Sequence, residues 1–130
     1  MYAVLIHEAV RGAAREQLLD QRRWGDAGLH PAVAAIAAGS YTQRQPPQIR
    51  ATGYVVDTLE AALWAISTTD SFADAVLRAV NLGEDSDTVG AVTGQLAGAI
   101  YGRLAIPPEW RETLVDGDRI DGLAISLAEA

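Results

Sequence analysis

Asp85, Asp87 and Thr88 place two carboxylates and a hydroxyl within four residues, inside the stretch Asn81-Leu82-Gly83-Glu84-Asp85-Ser86-Asp87-Thr88-Val89-Gly90. There a glycine-marked loop runs into an apolar segment that reaches about Gly102. Hard oxygen donors at this spacing can converge on one side of a turn and hold Mg²⁺, Ca²⁺ or Mn²⁺. The same residues also suit a helix start with no metal, because its unpaired N–H groups and dipole welcome Asp by about 0.3–1 kcal/mol. The EF-hand pattern fails, since the remaining loop positions and the distal Glu are missing. A cation held by these three groups keeps water or takes ligands from elsewhere. Open positions of that kind suit polarising a substrate oxygen or orienting a water.

The elements around the triad follow from periodicity. Gly90, Gly94, Gly98 and Gly102 recur every fourth residue, a stripe without side chains along one face of the helix that follows the triad. Interior Gly costs about 1 kcal/mol against Ala, so the stripe predicts a close neighbour, another helix backbone, and a central position for this helix. Before the triad, Ser71-x-x-Asp74 resembles a capping box, and Phe72, Ala75, Val76, Ala79 and Val80 make one apolar face up to Gly83. Two helices joined by Gly83 to Ser86 form an αα-hairpin with the carboxylates at its tip. Upstream, Gly53 and Tyr54 open a helical pattern in Val55, Val56, Leu59, Ala62, Leu63 and Ile66, with Trp64 expected in the core. A Tyr at such a mouth packs on the core, or stacks on a sugar or base.

The remaining segments are read the same way. Residues 2–20 predict one helix, apolar from its second residue, as though chain normally precedes it; residues 21–30, with Trp24-Gly25-Asp26, predict a loop. Pro31 starts a helix that runs to Ala38 and stops at Gly39. Ser40 to Arg50, carrying Tyr41 and Pro46-Pro47, is the longest irregular stretch, either a binding loop or a solvated connector. Ile106 to Trp110 leads into a short helix with Trp110 over the core edge, and a last helix from about Asp118 to Leu127 turns Ile120, Leu123, Ala124 and Leu127 to one side. No run alternates with period two. The fold class is all-α, one compact helical domain.

Composition narrows the function. A chain of 130 residues with 49% apolar and 21% charged residues is globular and most simply a single domain. A net charge of −7 argues against a nucleic-acid backbone or an anionic membrane as partner. With no cysteine there is no disulfide, thiolate metal site or thiol nucleophile. The N-terminal apolar run is too short for a signal peptide, no stretch nears the roughly 18 apolar residues of a membrane span, and cytoplasm is the default compartment. No phosphate loop, dinucleotide fingerprint or nucleophile elbow is present.

Beside this reading stands a resemblance. Gly53-Tyr54-Val55-Val56-Asp57-Thr58-Leu59-Glu60-Ala61-Ala62-Leu63-Trp64, Ser71-Phe72 and Ala75 to Gly83 resemble the ADP-ribosylglycohydrolase family. So do Asp85-x-Asp87-Thr88, Gly94-Gln95-Leu96-Ala97-Gly98-Ala99, Tyr101-Gly102, Ile106-Pro107 and Trp110. The resemblance implies an all-α fold about a binuclear Mg²⁺ centre (Mn²⁺ being an alternative ion). It also implies hydrolysis of the glycosidic bond between ADP-ribose and an acceptor such as arginine, on a modified protein or a small ADP-ribosyl compound. By motif, Asp85, Asp87 and Thr88 would be metal ligands, with Asp85 and Asp87 at the catalytic centre. Gly53, Tyr54, Ser40 and Tyr41 would lie near ADP-ribose. The likeness is to the family's C-terminal part, so residues 1–130 are read as a partial domain without the T-D-D-type cluster that completes the metal pair. Gly83-Glu84-Asp85 replaces the usual G-G-D or G-D-D. Activity is then expected to need a complementing N-terminal portion. The alternative is a non-catalytic truncated relative that works as an interaction module, for instance as a homo-oligomer.

Overall fold

The computed structural model describes residues 1–25 and 28–130, and every regular element among them is helical. In chain order the α-helices are α1 (Tyr2–Val10), α2 (Arg15–Leu18), α3 (Pro31–Ala37), α4 (Ser40–Gln43), α5 (Val55–Ser67), α6 (Phe72–Val80), α7 (Ser86–Tyr101), α8 (Pro108–Glu112) and α9 (Gly117–Glu129). Short 3₁₀ turns cover Gln21–Arg23 and Arg103–Ala105. Asp26 lies outside the described residues.

The core forms where α5, α6 and α7 meet, with α1 laid against α7. In α5 the run from Ala61 to Ile66 is buried on every side. A helix apolar all round belongs in the interior, and Trp64 is buried as expected. The amphipathic α6 buries Phe72, Ala75 and Ala79. Its start is fixed by Ser71, whose Oγ accepts from the Asp74 N–H at 3.1 Å and donates to Asp74 Oδ2 at 2.7 Å. Gly83, at φ +80°, turns the chain out of α6 and into the hairpin. Across the far end of the pair, Trp110 meets Phe72 edge-on with centroids 6.2 Å apart.

The glycine stripe of α7 faces α6 side chains, not a backbone. A Cβ on Gly90 would stand 2.7 Å from Val80 Cγ1, whereas one on Gly94 would be 3.9 Å from Val76 Cγ2 and one on Gly98 3.8 Å from Phe72 Cε2. Close approach therefore requires glycine at Gly90 alone. Gly102 is the C-cap of α7, at φ +81° with nothing within 4 Å of its missing side chain.

Two other expectations are corrected. The helix predicted over 2–20 breaks after Val10: Gly12 at φ +89° donates to the Ala9 carbonyl at 2.9 Å and Ala13 to the Glu8 carbonyl at 3.0 Å. This left-handed cap ends a helix against its apolar periodicity. The segment from Ser40 begins with the helical turn α4 before becoming irregular. The last helix forms as expected, as α9, with Ile120, Leu123 and Leu127 48%, 58% and 79% exposed. Period reports which face is apolar, not whether anything covers it.

Candidate functional site

Two loops converge at the heads of α5 and α7. The hairpin tip climbs through two successive left-handed residues, Gly83 at φ +80° and Glu84 at φ +49°. Asp85 follows as the N-cap of α7, and its backbone N–H donates to the Ala51 carbonyl at 2.8 Å. That bond joins the tip to the turn leading into α5. The same turn brings Gly53 beneath the Asp85 carboxylate, where a Cβ would sit 3.3 Å from Asp85 Oδ2. Tyr54 is the N-cap of α5 and is 56% exposed. The alternative in which this Tyr packs on the core therefore does not hold.

Asp85 occupies the N-cap position, yet its side chain accepts no hydrogen bond from the helix N–H groups. Asp87 Oδ1 accepts from the Thr88 N–H at 2.9 Å. The neighbouring Asp85 side chain, and after it this Thr88 N–H, hold the Asp87 carboxyl below the usual carboxylate range. Asp87 thus enters neutral pH as an anion with free lone pairs, beside a second carboxyl that is not spent on capping. Thr88 is exposed on the first turn of α7.

This donor set suits a hard divalent cation in part. Two carboxylates and a hydroxyl supply oxygen only, and among the described residues no group of three or more His, Cys, Asp or Glu side chains stands together to hold a metal. The remaining positions fall to water or to other polypeptide.

The two further lining candidates lie elsewhere. Tyr41 is buried in the core with its hydroxyl donating to the Leu19 carbonyl at 3.3 Å, so its ring has no free face for a ligand. Ser40 donates to Glu60 Oε1, and Arg44 closes on both Glu60 oxygens at 3.1 and 3.0 Å. Both residues therefore brace α4 against α5. A cleft of about 890 Å³ between the Pro46–Ala51 segment and α6 is walled by Trp64, Leu77 and Arg78 and runs along the hairpin to Glu84, without Asp85, Asp87 or Thr88 in its lining. Sequence reading passed over Thr52 and Asp57, which stitch the α5 turn: Thr52 Oγ1 accepts from the Tyr54 N–H at 3.2 Å and donates to Asp57 Oδ2 at 2.7 Å. An Asp in a first helical turn was the only available signal, and that is common to many helices.

The described residues thus form an all-helical domain with a D-x-D-T hairpin tip pinned beside a Gly-Tyr turn. The chain belongs to the ADP-ribosylglycohydrolase family, whose profile matches residues 1–130. It is 46% identical over 127 residues to the ADP-ribosylarginine hydrolase Tri1 of Pseudomonas putida (strain GB-1), covering 98% of this chain and 33% of that protein. The corresponding protein of Serratia proteamaculans (strain 568) is 44% identical over 123 residues, covering 95% of this chain and 33% of that one. A solved structure titled ADP-ribosylglycohydrolase-related protein complex superposes with a TM-score of 0.90 at 44% identity, over 97% of this chain and 44% of the other. The chain spans about a third of the length of the curated relatives it matches. No helix among the described residues is long and apolar enough to cross a membrane.

Proposed function

We propose that this chain supplies one half of a Mg²⁺-dependent site that hydrolyses the glycosidic bond between ADP-ribose and an arginine-type acceptor. The observation that carries the reading is the Asp85 carboxylate: placed at a helix N-cap, it leaves the helix N–H groups alone and lies against Gly53 instead. In this reading Asp85, Asp87 and Thr88 hold the cation, Mg²⁺ or Mn²⁺. A cation there would supply positive charge for a ribose oxygen and for the attacking water. The anionic state of Asp87 at neutral pH is the state a ligand needs. Glycine at 53 keeps the space over Asp85 open, and the exposed Tyr54 ring gives a flat apolar face beside it for a sugar or base.

The names of two relatives, both ADP-ribosylarginine hydrolases, support the substrate class. Because the chain spans a third of their length, the proposal includes a complementing polypeptide that brings the remaining ligands. The test measures ADP-ribose released from an ADP-ribosylated arginine peptide. The chain is assayed alone and mixed with the remaining part of a long relative, each with Mg²⁺ and with chelator. Release that needs Mg²⁺ and disappears in Asp87→Ala is expected; release that survives Asp87→Ala would remove the metal role.

A non-catalytic interaction module is the second reading, favoured by the uncovered apolar side of α9, where Ile120, Leu123 and Leu127 are all exposed. Sedimentation velocity separates it. A monomer at all concentrations that also ignores the complementing segment counts against this module.

A further inference from the structure

The α5 turn is stitched by a network whose consequence lies across the gap, at Asp85. Asp57, in the first turn of α5, accepts on one oxygen both the Thr52 hydroxyl at 2.7 Å and the Arg50 guanidinium at 3.1 Å. Its side chain is only 18% exposed. Thr52 in turn accepts the Tyr54 N–H at 3.2 Å. The buried Thr58 hydroxyl faces the carbonyls of Thr52 and Tyr54, each at 3.3 Å. Residues 50 to 54 are thereby held from both ends, and the two groups this segment offers to the hairpin are the Ala51 carbonyl, which takes the Asp85 N–H, and Gly53, which lies under Asp85 Oδ2.

We propose that Asp57 is a positioning residue of the site: by clamping Arg50 and Thr52 it fixes the 50–54 turn, and through Ala51 and Gly53 that turn fixes the backbone and carboxylate of Asp85. The relevance to cation binding rests on the function proposed above, while the positioning itself does not. Charge-assisted hydrogen bonds to one carboxylate are the strong kind, and the dipole of α5 favours the anion where it stands. A ligand-bearing loop with few apolar contacts holds its geometry only through bonds of this sort. Asp57 touches neither substrate nor metal in this account; it acts through Ala51 and Gly53.

Hydrogen exchange of the Asp85 amide on the intact chain reads the effect directly. Asp57→Ala is expected to speed that exchange about tenfold relative to the amides of Leu63 and Leu96, the loss anticipated for one strong hydrogen-bond set. Asp57→Asn, which keeps an acceptor, should recover most of the protection. Arg44→Ala, which loosens α4 from α5 on a separate network, serves as the variant of comparable stability loss and should leave Asp85 protected. Mn²⁺ titration by electron paramagnetic resonance is run on the same proteins, with affinity expected to weaken about tenfold in Asp57→Ala. Asp85 exchange that tracks Leu63 and Leu96 in Asp57→Ala, or that rises equally in Arg44→Ala, would overturn the proposal. A selective rise at Asp85 in a protein that takes up no Mn²⁺ would keep the positioning role and remove the metal reading instead.

Discussion

Gly90→Ala is the most informative single change in the hairpin that carries the aspartates. In a free helix the substitution gains about 1 kcal/mol of propensity. Here the new Cβ would meet Val80 Cγ1 at 2.7 Å, well inside carbon–carbon contact. Val is stiff at χ1, so α6 and α7 must part or Val80 must leave its rotamer, at about 1–3 kcal/mol. The net expectation is destabilisation by about 1 kcal/mol. Gly94→Ala and Gly98→Ala place their Cβ at 3.9 and 3.8 Å from α6; these keep the propensity gain and should stabilise by about 0.5–1 kcal/mol. Val80→Ala alone should cost about 1.5 kcal/mol for two methyl groups. Combined with Gly90→Ala it should relieve the clash, giving a coupling of about 1 kcal/mol or more in a double-mutant cycle. Urea unfolding followed by far-UV circular dichroism measures these five variants and the wild type. Strict additivity of Gly90→Ala and Val80→Ala, or a Gly90→Ala variant as stable as Gly94→Ala, would refute the packing account.

Two further predictions concern the contact of α1 with α7 and the tip of the hairpin. Burial pushes the Tyr2 hydroxyl up to about 12, against a smaller lowering pull from the Leu96 backbone, and the hydroxyl donates to the Val92 carbonyl at 2.6 Å. The folded pKa lies above the unfolded value of about 10, so this contribution is complete below pH 10 and is lost as pH rises from about 10 to 12; Tyr2→Phe should flatten that decline in a stability–pH series, and an unchanged slope would count against it. Glu84 stands at φ +49°, a conformation costing an L residue about 1–2 kcal/mol, so Glu84→Gly should raise the urea midpoint by the equivalent of about 0.5 kcal/mol after the added unfolded-state entropy. A loss above 1 kcal/mol would mean that the Glu84 side chain itself holds the tip.

The hairpin was legible because its signals are local. Ser71 and Asp74 cap α6 through their own atoms, Gly83 supplies a left-handed turn, and the apolar period of α6 survives into the structure. The break at Gly12 was missed because a Schellman cap depends on one glycine conformation, while the apolar pattern runs on through it. The partners of Tyr41 and Ser40 were hidden for another reason: a tyrosine and a serine in a proline-marked stretch read as loop chemistry, and only the fold reveals Leu19 and Glu60. The D-x-D-T spacing gave the donors but not their orientation. Asp85 meets its tertiary neighbours in Ala51, which takes its N–H, and Gly53, which lies against its carboxylate, more than thirty residues earlier in the chain.

The central claim is that Asp85 and Asp87 bind a cation and do not serve merely as helix caps. Mn²⁺ binding to Asp85→Asn and Asp87→Asn tests it most directly, because Asn caps a helix about as well as Asp but contributes no ligand charge. With few protein ligands, wild-type affinity is expected near about 10⁻⁴–10⁻³ M. Each Asn variant should lose at least tenfold in affinity with an unchanged melting temperature, while Asp74→Asn on the outer side of α6 keeps wild-type binding. Asn variants that bind Mn²⁺ as the wild type does would contradict the account.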